Sequence, residues 1–253
     1  MKIEIKNIDF AYNGENVLSN VSTIVENGDF IALVGPNGSG KSTFIKCLNK
    51  ILEPHKGVIF LNDKNIRNIS LKELAKQMAY VPQYEQKSMG LNVFDFVLTG
   101  RKPYINWKPS EKDIKKVAEI LKTLHLEKIA MKDINKLSGG QSQMVTIARA
   151  IAQEPVIMLL DEPTASLDIR HQIEIMELLK KFSAEGISII IALHDINTAI
   201  KYTNKFIMLK DKSVFAEGGK EIINKVNIEK LYDIKVNLIK QKNELYIFPD
   251  GLH

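Results

Sequence analysis

Cysteine is almost absent from this 253-residue chain. Cys47 stands alone, so no disulfide can close within it, and a single thiol fits a reducing compartment. Long apolar runs are missing too. The longest, ISIIIAL at 187–193, is ended by His194 and Asp195, far short of the roughly 20 residues a bilayer crossing takes. The opening stretch MKIEIKNIDFAYNG has no apolar signal core. The lysines are spread rather than gathered into a basic run with interleaved aromatics, so no nucleic-acid partner is expected despite a net charge of +5. Internal repeats, low-complexity tracts and long linkers are also lacking. The expectation is a chain that spans no membrane, with a mildly basic surface that could meet a phosphate ligand or an anionic membrane.

What is present is an ordinary globular composition, 45% apolar and 26% charged, with enough length for a substantial core. Ile3, Ile5 and Ile8 fall among polar residues, Phe10-Ala11-Tyr12 comes next, and VLSNVSTIVENGDF follows with a turn at Asn27-Gly28, which predicts short antiparallel strands. FIALVG at 30–35 is a continuous apolar run, the mark of a strand buried on both faces. A helix is predicted from Lys41 through FIKCLNKIL, carrying Cys47 as a packed residue without chemistry. Ser70 with Glu73 forms a capping box before LKELAKQM. AYVPQ reads as a strand ending at Pro82, and residues 84 to about 153 read as helical, with Ser110 and Asp113 capping IKKVAEILKTL. VIMLLD and ISIIIAL read as strands around the helix HQIEIMELLKKF, and IMLKDKSVFAEG as a hairpin. Strand, helix, strand implies a parallel sheet covered by helices.

Three stretches carry chemistry. Gly35-Pro36-Asn37-Gly38-Ser39-Gly40-Lys41-Ser42, with Thr43 next, matches the P-loop pattern at every fixed position. A buried strand precedes it and a helix follows. Its glycines let backbone N–H groups curl around phosphates, Lys41 reaches the β- and γ-phosphates, and the Ser42 hydroxyl ligates Mg²⁺. Asp161 ends the apolar strand VIMLLD at its carboxyl end, where parallel sheets place ligand groups, and is expected to hold Mg²⁺. Glu162 follows as the candidate base for an attacking water. Read alone, Asp161 could be a helix cap and Glu162 a solvated carboxylate. The third stretch, LSGGQ at 137–141, puts Ser138, Gly139 and Gly140 at a helix start whose positive end can face an anion. Read alone it could be a loop with an N-cap.

P-loop, LSGGQ, LLDEP, SLD and a late histidine, in that order, resemble the nucleotide-binding subunit of ABC transporters from about residue 3 to 220. The resemblance implies an α/β fold: a P-loop NTPase core with a parallel sheet, an N-terminal antiparallel β subdomain and an inserted helical subdomain at 84–153. Residues 221–253 would form a C-terminal helix and strand extension. It implies an ATPase with ATP and Mg²⁺, whose two copies sit head to tail around two ATPs. Ser138, Gly139, Gly140 and Gln141 would then contact the γ-phosphate held by the other copy, with catalysis carried by Glu162, His194 and Lys41. Tyr12 would stack on adenine, against the alternative of a core aromatic. Gln83 would approach Mg²⁺ and link to a membrane partner; alone it would be a surface residue. Asp168 would lie on the loop that crosses the dimer, against a simple helix cap. His194 would contact the γ-phosphate, against a hydrogen-bonded bystander. Ser142 stands where many relatives have arginine, a departure not expected to abolish the site but able to alter local packing.

LTGRKPYINWKPSEKD at 98–113 and DEPTASLDIRHQIEIMELL at 161–179, above all Arg170-His171-Gln172, are similar to the ATPases of importers for ferric siderophores, haem and cobalamin. This implies separate permease subunits, indirectly a substrate-binding protein, and a peripheral place on the cytoplasmic face of the membrane. Gly100, Arg101 and Tyr104 would face the permease, or Tyr104 and Trp107 would form a local hydrophobic clasp. The competing reading is a soluble ABC ATPase acting on nucleic acid or the ribosome. The single motif set, and the short separation between Lys41 and Ser138, weigh against it.

Overall fold

The computed structural model describes residues 1–83, 90–242 and 244–252. β1 (Ile3–Tyr12) and β2 (Glu15–Val25) pair antiparallel. They are long strands rather than short ones, because bulges absorb the polar interruptions. The register slips between Ile5 and Ile8, where Asn7 takes a φ of 51° and its side-chain amide donates to Asn20 at 2.6 Å. The slip shifts the inward set from odd positions, Ile3 and Ile5, to even ones, Ile8 and Phe10, and all four are buried.

β3 (Phe30–Val34) leads into α1 (Lys41–Leu48). This helix ends earlier than the apolar pattern predicts. Lys50 turns left-handed, with a φ of 60°, and its ammonium donates to the carbonyls of Arg67 and Ile69. β4 (Lys56–Leu61) and β5 (Lys64–Asn65) extend the first sheet in the order β2-β1-β4-β5. α2 (Leu71–Ala75) opens on the Ser70–Glu73 capping box and leads to β6 (Met78–Val81).

α3 (Val93–Leu98), α4 (Glu111–Thr123) and α5 (Gly139–Ala152) pack around their own apolar cluster, including Val93, Val97, Val117, Leu121 and Val145. Residues 84–89, part of the stretch read as helical, lie outside the described residues. Arg101 corrects an expectation. It is only 3% exposed, so it presents nothing to a partner. Its guanidinium donates to Asp113 at 3.0 Å and Glu154 at 2.6 Å and covers the Tyr104 ring at 4.1 Å. The Tyr104 hydroxyl donates to the Gln153 carbonyl. The clasp here is thus built on a charge, and Trp107 takes no part in it, at 96% exposure.

β7 (Ile157–Asp161), α6 (Ile169–Ala184), β8 (Ser188–Ala192), α7 (Ile196–Tyr202), β9 (Lys205–Lys210) and β10 (Ser213–Gly218) complete a second sheet. Its order is β10-β9-β3-β8-β7-β6, parallel except at β10. Alternate side chains feed two cores. Ala32, Leu160 and Ile191 enter one, while Leu33, Leu159 and Ile190 enter the other, which is why these strands read as unbroken apolar runs. The rungs Leu33↔Ala192, Ala192↔Asp161 and Leu160↔Val81 align the carboxyl ends of β3, β8, β7 and β6.

α8 (Lys225–Tyr232) then leads to β11 (Ile234–Gln241) and β12 (Glu244–Leu252), an antiparallel pair. Ile228, Leu231, Val236 and Ile247 join the main core. The Asn197 side chain on α7 reads the β12 backbone both ways: it donates to the Ile247 carbonyl at 3.0 Å and accepts from the Ile247 N–H at 2.8 Å.

Candidate functional site

The loop after β3 can wrap only because it carries glycine where backbone crowds in. A Cβ on Gly35 would fall 2.1 Å from the Leu209 carbonyl oxygen, and one on Gly40 would fall 2.9 Å from that of Val17. Gly40, at a φ of 98°, also starts α1. Lys41 is buried, and its ammonium curls back onto the carbonyls of Gly35 at 2.9 Å and Pro36 at 3.1 Å. Burial pulls its pKa down, and Glu162 and Asp161 resist that shift. Ser39 Oγ is buried without a hydrogen-bond partner among the described residues, an orphan that suits a loop built for an anionic guest. Asn37, Gly38, Lys41, Thr43 and Glu162 line a cavity of about 170 Å³.

Asp161 and Glu162 follow directly from the aligned strand ends. Ser42 Oγ donates to Asp161 Oδ1 at 2.8 Å, which brings the α1 hydroxyl and the β7 carboxylate together. Asp161 is 3% exposed, and burial raises its pKa, against the pull of the Ser42 bond. A buried acid paired with a hydroxyl is an all-oxygen set that fits a hard cation such as Mg²⁺. Gln83 does not join that pair. Its amide donates to Glu162 Oε2 at 2.6 Å, and His194 Nε2 lies 2.6 Å from Glu162 Oε1. Glu162 takes a φ of 50°, uncommon for a residue with a side chain, and this turn aims its carboxylate at both partners.

LSGGQ lies apart from this cluster. Ser138 caps α5 by accepting from the Gln141 N–H, and the Gln141 side chain accepts from the Ser138 N–H, each at 3.3 Å. Among the described residues no hydrogen bond or ion pair joins 138–141 to the loop at 35–43. Asp168 caps α6, accepting from the His171 N–H at 2.9 Å and pairing with its Nδ1 at 2.8 Å. These bonds, the backbone one foremost, hold the exposed Asp168 carboxyl below the usual range. Ser142 donates its N–H to Ser138 and takes its place in the helix like any interior residue.

Tyr12 is not a core aromatic. It stands 44% exposed at the end of β1, edge-on to Phe10 at 4.8 Å, while Phe10 stacks on His55. Cys47 is fully buried, and burial pushes its thiol up to about 12, which leaves it inert. Sequence reasoning missed the contact between Gly140 and the His171 ring, and the approach of Tyr232 to Gly35. Burial pushes the Tyr232 phenol up to about 12, with its hydroxyl beside the Gly35 backbone. Neither leaves a local signal, because each joins elements distant in the chain.

A family model described as ABC transporter matches residues 18–165, more than half of the chain. A probable iron chelatin transport ATP-binding protein of Helicobacter pylori is 35% identical over 253 residues, covering 98% of this chain and 99% of that protein. A metal-chelate type ABC transporter solved in an inward-facing conformation has a subunit that aligns with a TM-score of 0.85 at 29% identity, over 99% of this chain and 97% of that one. A dimeric ATP-binding cassette in a post-hydrolysis state, bound to ADP and Pi, aligns with a TM-score of 0.76 at 32% identity, over 86% and 98%.

Proposed function

The chain belongs to the ABC transporter family, and from that membership we propose that it powers an importer of an iron chelate, working as a head-to-tail pair of copies around two ATPs. It is an ATP-binding subunit and an ATPase, as this family is. Cassettes of the family form dimers and work with permease components. The cargo class rests on the iron chelatin and metal-chelate relatives. No helix among the described residues is long and apolar enough to cross a membrane, which suits a peripheral subunit on the cytoplasmic face of a separate permease.

The observation that carries the reading is the convergence at one sheet edge of Lys41, the Ser42–Asp161 pair and Glu162 with its two partners. Ser42 and Asp161 are the residues that would hold Mg²⁺, which supplies positive charge to the phosphates when bound. Lys41 would swing from its carbonyl partners to the β- and γ-phosphates, and Asn37 to Thr43 would cradle the chain of phosphates. Tyr12 offers its exposed face to the base. Glu162 would take a proton from water as the water oxygen bonds phosphorus and the bond to the ADP oxygen breaks. Gln83 and His194 each take one oxygen of that carboxylate and so orient it, leaving lone pairs for the incoming water. Ser138 to Gln141 and Asp168, whose hydrogen bonds among the described residues stay local, would complete the site of the second copy. This is a two-fold arrangement in which each copy gives and receives the same groups.

The test is to tag the chain, isolate it from native membranes and identify what accompanies it. A polytopic permease with a binding protein for an iron chelate is expected. Recovery with ribosomes or DNA, and no membrane partner, would overturn the import reading.

A further inference from the structure

The second glycine of LSGGQ rests on an imidazole. A Cβ on Gly140 would fall 2.3 Å from His171 Cδ2, 2.6 Å from Cγ and 2.7 Å from Nε2. Overlaps of that size leave no room for a side chain at position 140 while the ring stays where Asp168 holds it. The same ring is fixed on its other edge by the 2.8 Å contact of Nδ1 with Asp168, whose carboxylate also accepts from the His171 N–H. A neighbouring contact runs in parallel. A Cβ on Gly139 would lie 3.8 Å from Leu167 Cδ2. Gln172 ties the loop from the other side, donating to the carbonyls of Leu167 at 3.0 Å and Thr164 at 3.2 Å. The start of α5 and the start of α6 therefore meet across His171.

We propose that His171 is a positioning residue that locks the signature helix start to the 166–168 loop within one copy, so that both reach the opposite nucleotide as one unit. This rests on the two-copy ATP sandwich proposed above. Among the described residues no hydrogen bond or ion pair joins His171 to its own P-loop, so its loss should leave ATP binding by a single copy intact. It removes the support beneath Gly140 and frees Asp168 from its ring partner, so the face offered to the second copy loses its fixed shape.

The experiment compares His171→Ala, His171→Gln and the unchanged chain, each alone and with Glu162→Gln. Three readouts are taken: binding of a fluorescent ATP analogue to the single copy, ATP-dependent dimerisation by sedimentation, and steady-state hydrolysis. The alanine variant should bind the analogue as the parent does, dimerise about tenfold more weakly and turn over about tenfold more slowly. Glutamine offers a flat amide beneath Gly140 and a donor to Asp168, so it should recover most of both losses. Two outcomes overturn the proposal: dimerisation and turnover unchanged in His171→Ala, or analogue binding lost along with them, which marks a general structural role. If the Glu162→Gln chain with native His171 fails to dimerise with ATP, the sandwich reading itself falls, and that result is read without any His171 variant.

Discussion

His194 and Gln83 grip the same carboxylate from opposite oxygens, with Nε2 of each 2.6 Å from Glu162. One partner leaves β8 and the other leaves β6, so the carboxylate of the strand between them bridges two loops of the sheet edge. Removing its charge should stop chemistry without dismantling the site. Glu162→Gln is expected to lower steady-state phosphate release by about 10²- to 10⁴-fold and to accumulate an ATP-bound dimer. Hydrolysis at the parent rate would remove Glu162 from the role of base.

Lys41 illustrates a held charge. Two carbonyls and two nearby carboxylates surround a buried ammonium. Lys41→Ala is expected to weaken ATP binding by about 10- to 100-fold, the scale of a lost charge-assisted contact. Titration with a fluorescent analogue measures it, and an unchanged affinity would place the phosphates elsewhere.

Tyr12 supplies an exposed ring at the rim of the antiparallel sheet. Stacking of a base on an aromatic is worth about 1–3 kcal/mol. Tyr12→Ala should therefore raise the KM for ATP by about 5- to 100-fold, while Tyr12→Trp keeps it near the parent value. Equal KM values for all three would leave the adenine without this partner.

Away from the nucleotide, Arg101 and Asp113 form a buried pair. Breaking such a pair strands a buried charge, so Arg101→Ala should cost about 3–5 kcal/mol in chemical denaturation. The acid limb gives a second check. Bonds from Ser110, then Arg101, hold the Asp113 carboxyl below its ordinary value. Its contribution to stability is present in full above the ordinary value of about 4 and is lost as the pH falls through the lowered folded value. Thermal denaturation of the parent and of Asp113→Asn should converge as acid is added. A gap that widens instead would contradict the pair.

Much of this was legible in the sequence because the signals are local. Ser70 with Glu73 and Ser110 with Asp113 announce their helices, and both boxes form. The unbroken apolar runs at β3, β7 and β8 announce a sheet covered on both faces, and its parallel edge gathers Lys41, Asp161, Glu162, Gln83 and His194. What escaped depends on register or on distance. A one-residue bulge at Asn7 reverses the inward parity of β1, so simple alternation breaks off and the strands read as short. The early end of α1 goes with the left-handed turn at Lys50, whose ammonium meets the distant carbonyls of Arg67 and Ile69. Arg101 looks like a surface cation until Asp113 and Glu154 close over it. Gly140 and His171 meet only because α5 and α6 start side by side.

Trp107 stands outside all of these arrangements, and it is the chain's sole tryptophan. Its indole is bathed in solvent, so the protein's tryptophan emission is the signal of one surface point and carries no contribution from the cores. Closure of the nucleotide site would leave that signal almost silent. Coverage of the 102–108 face by another molecule would shift it to shorter wavelength, a label-free optical report that the native chain already carries.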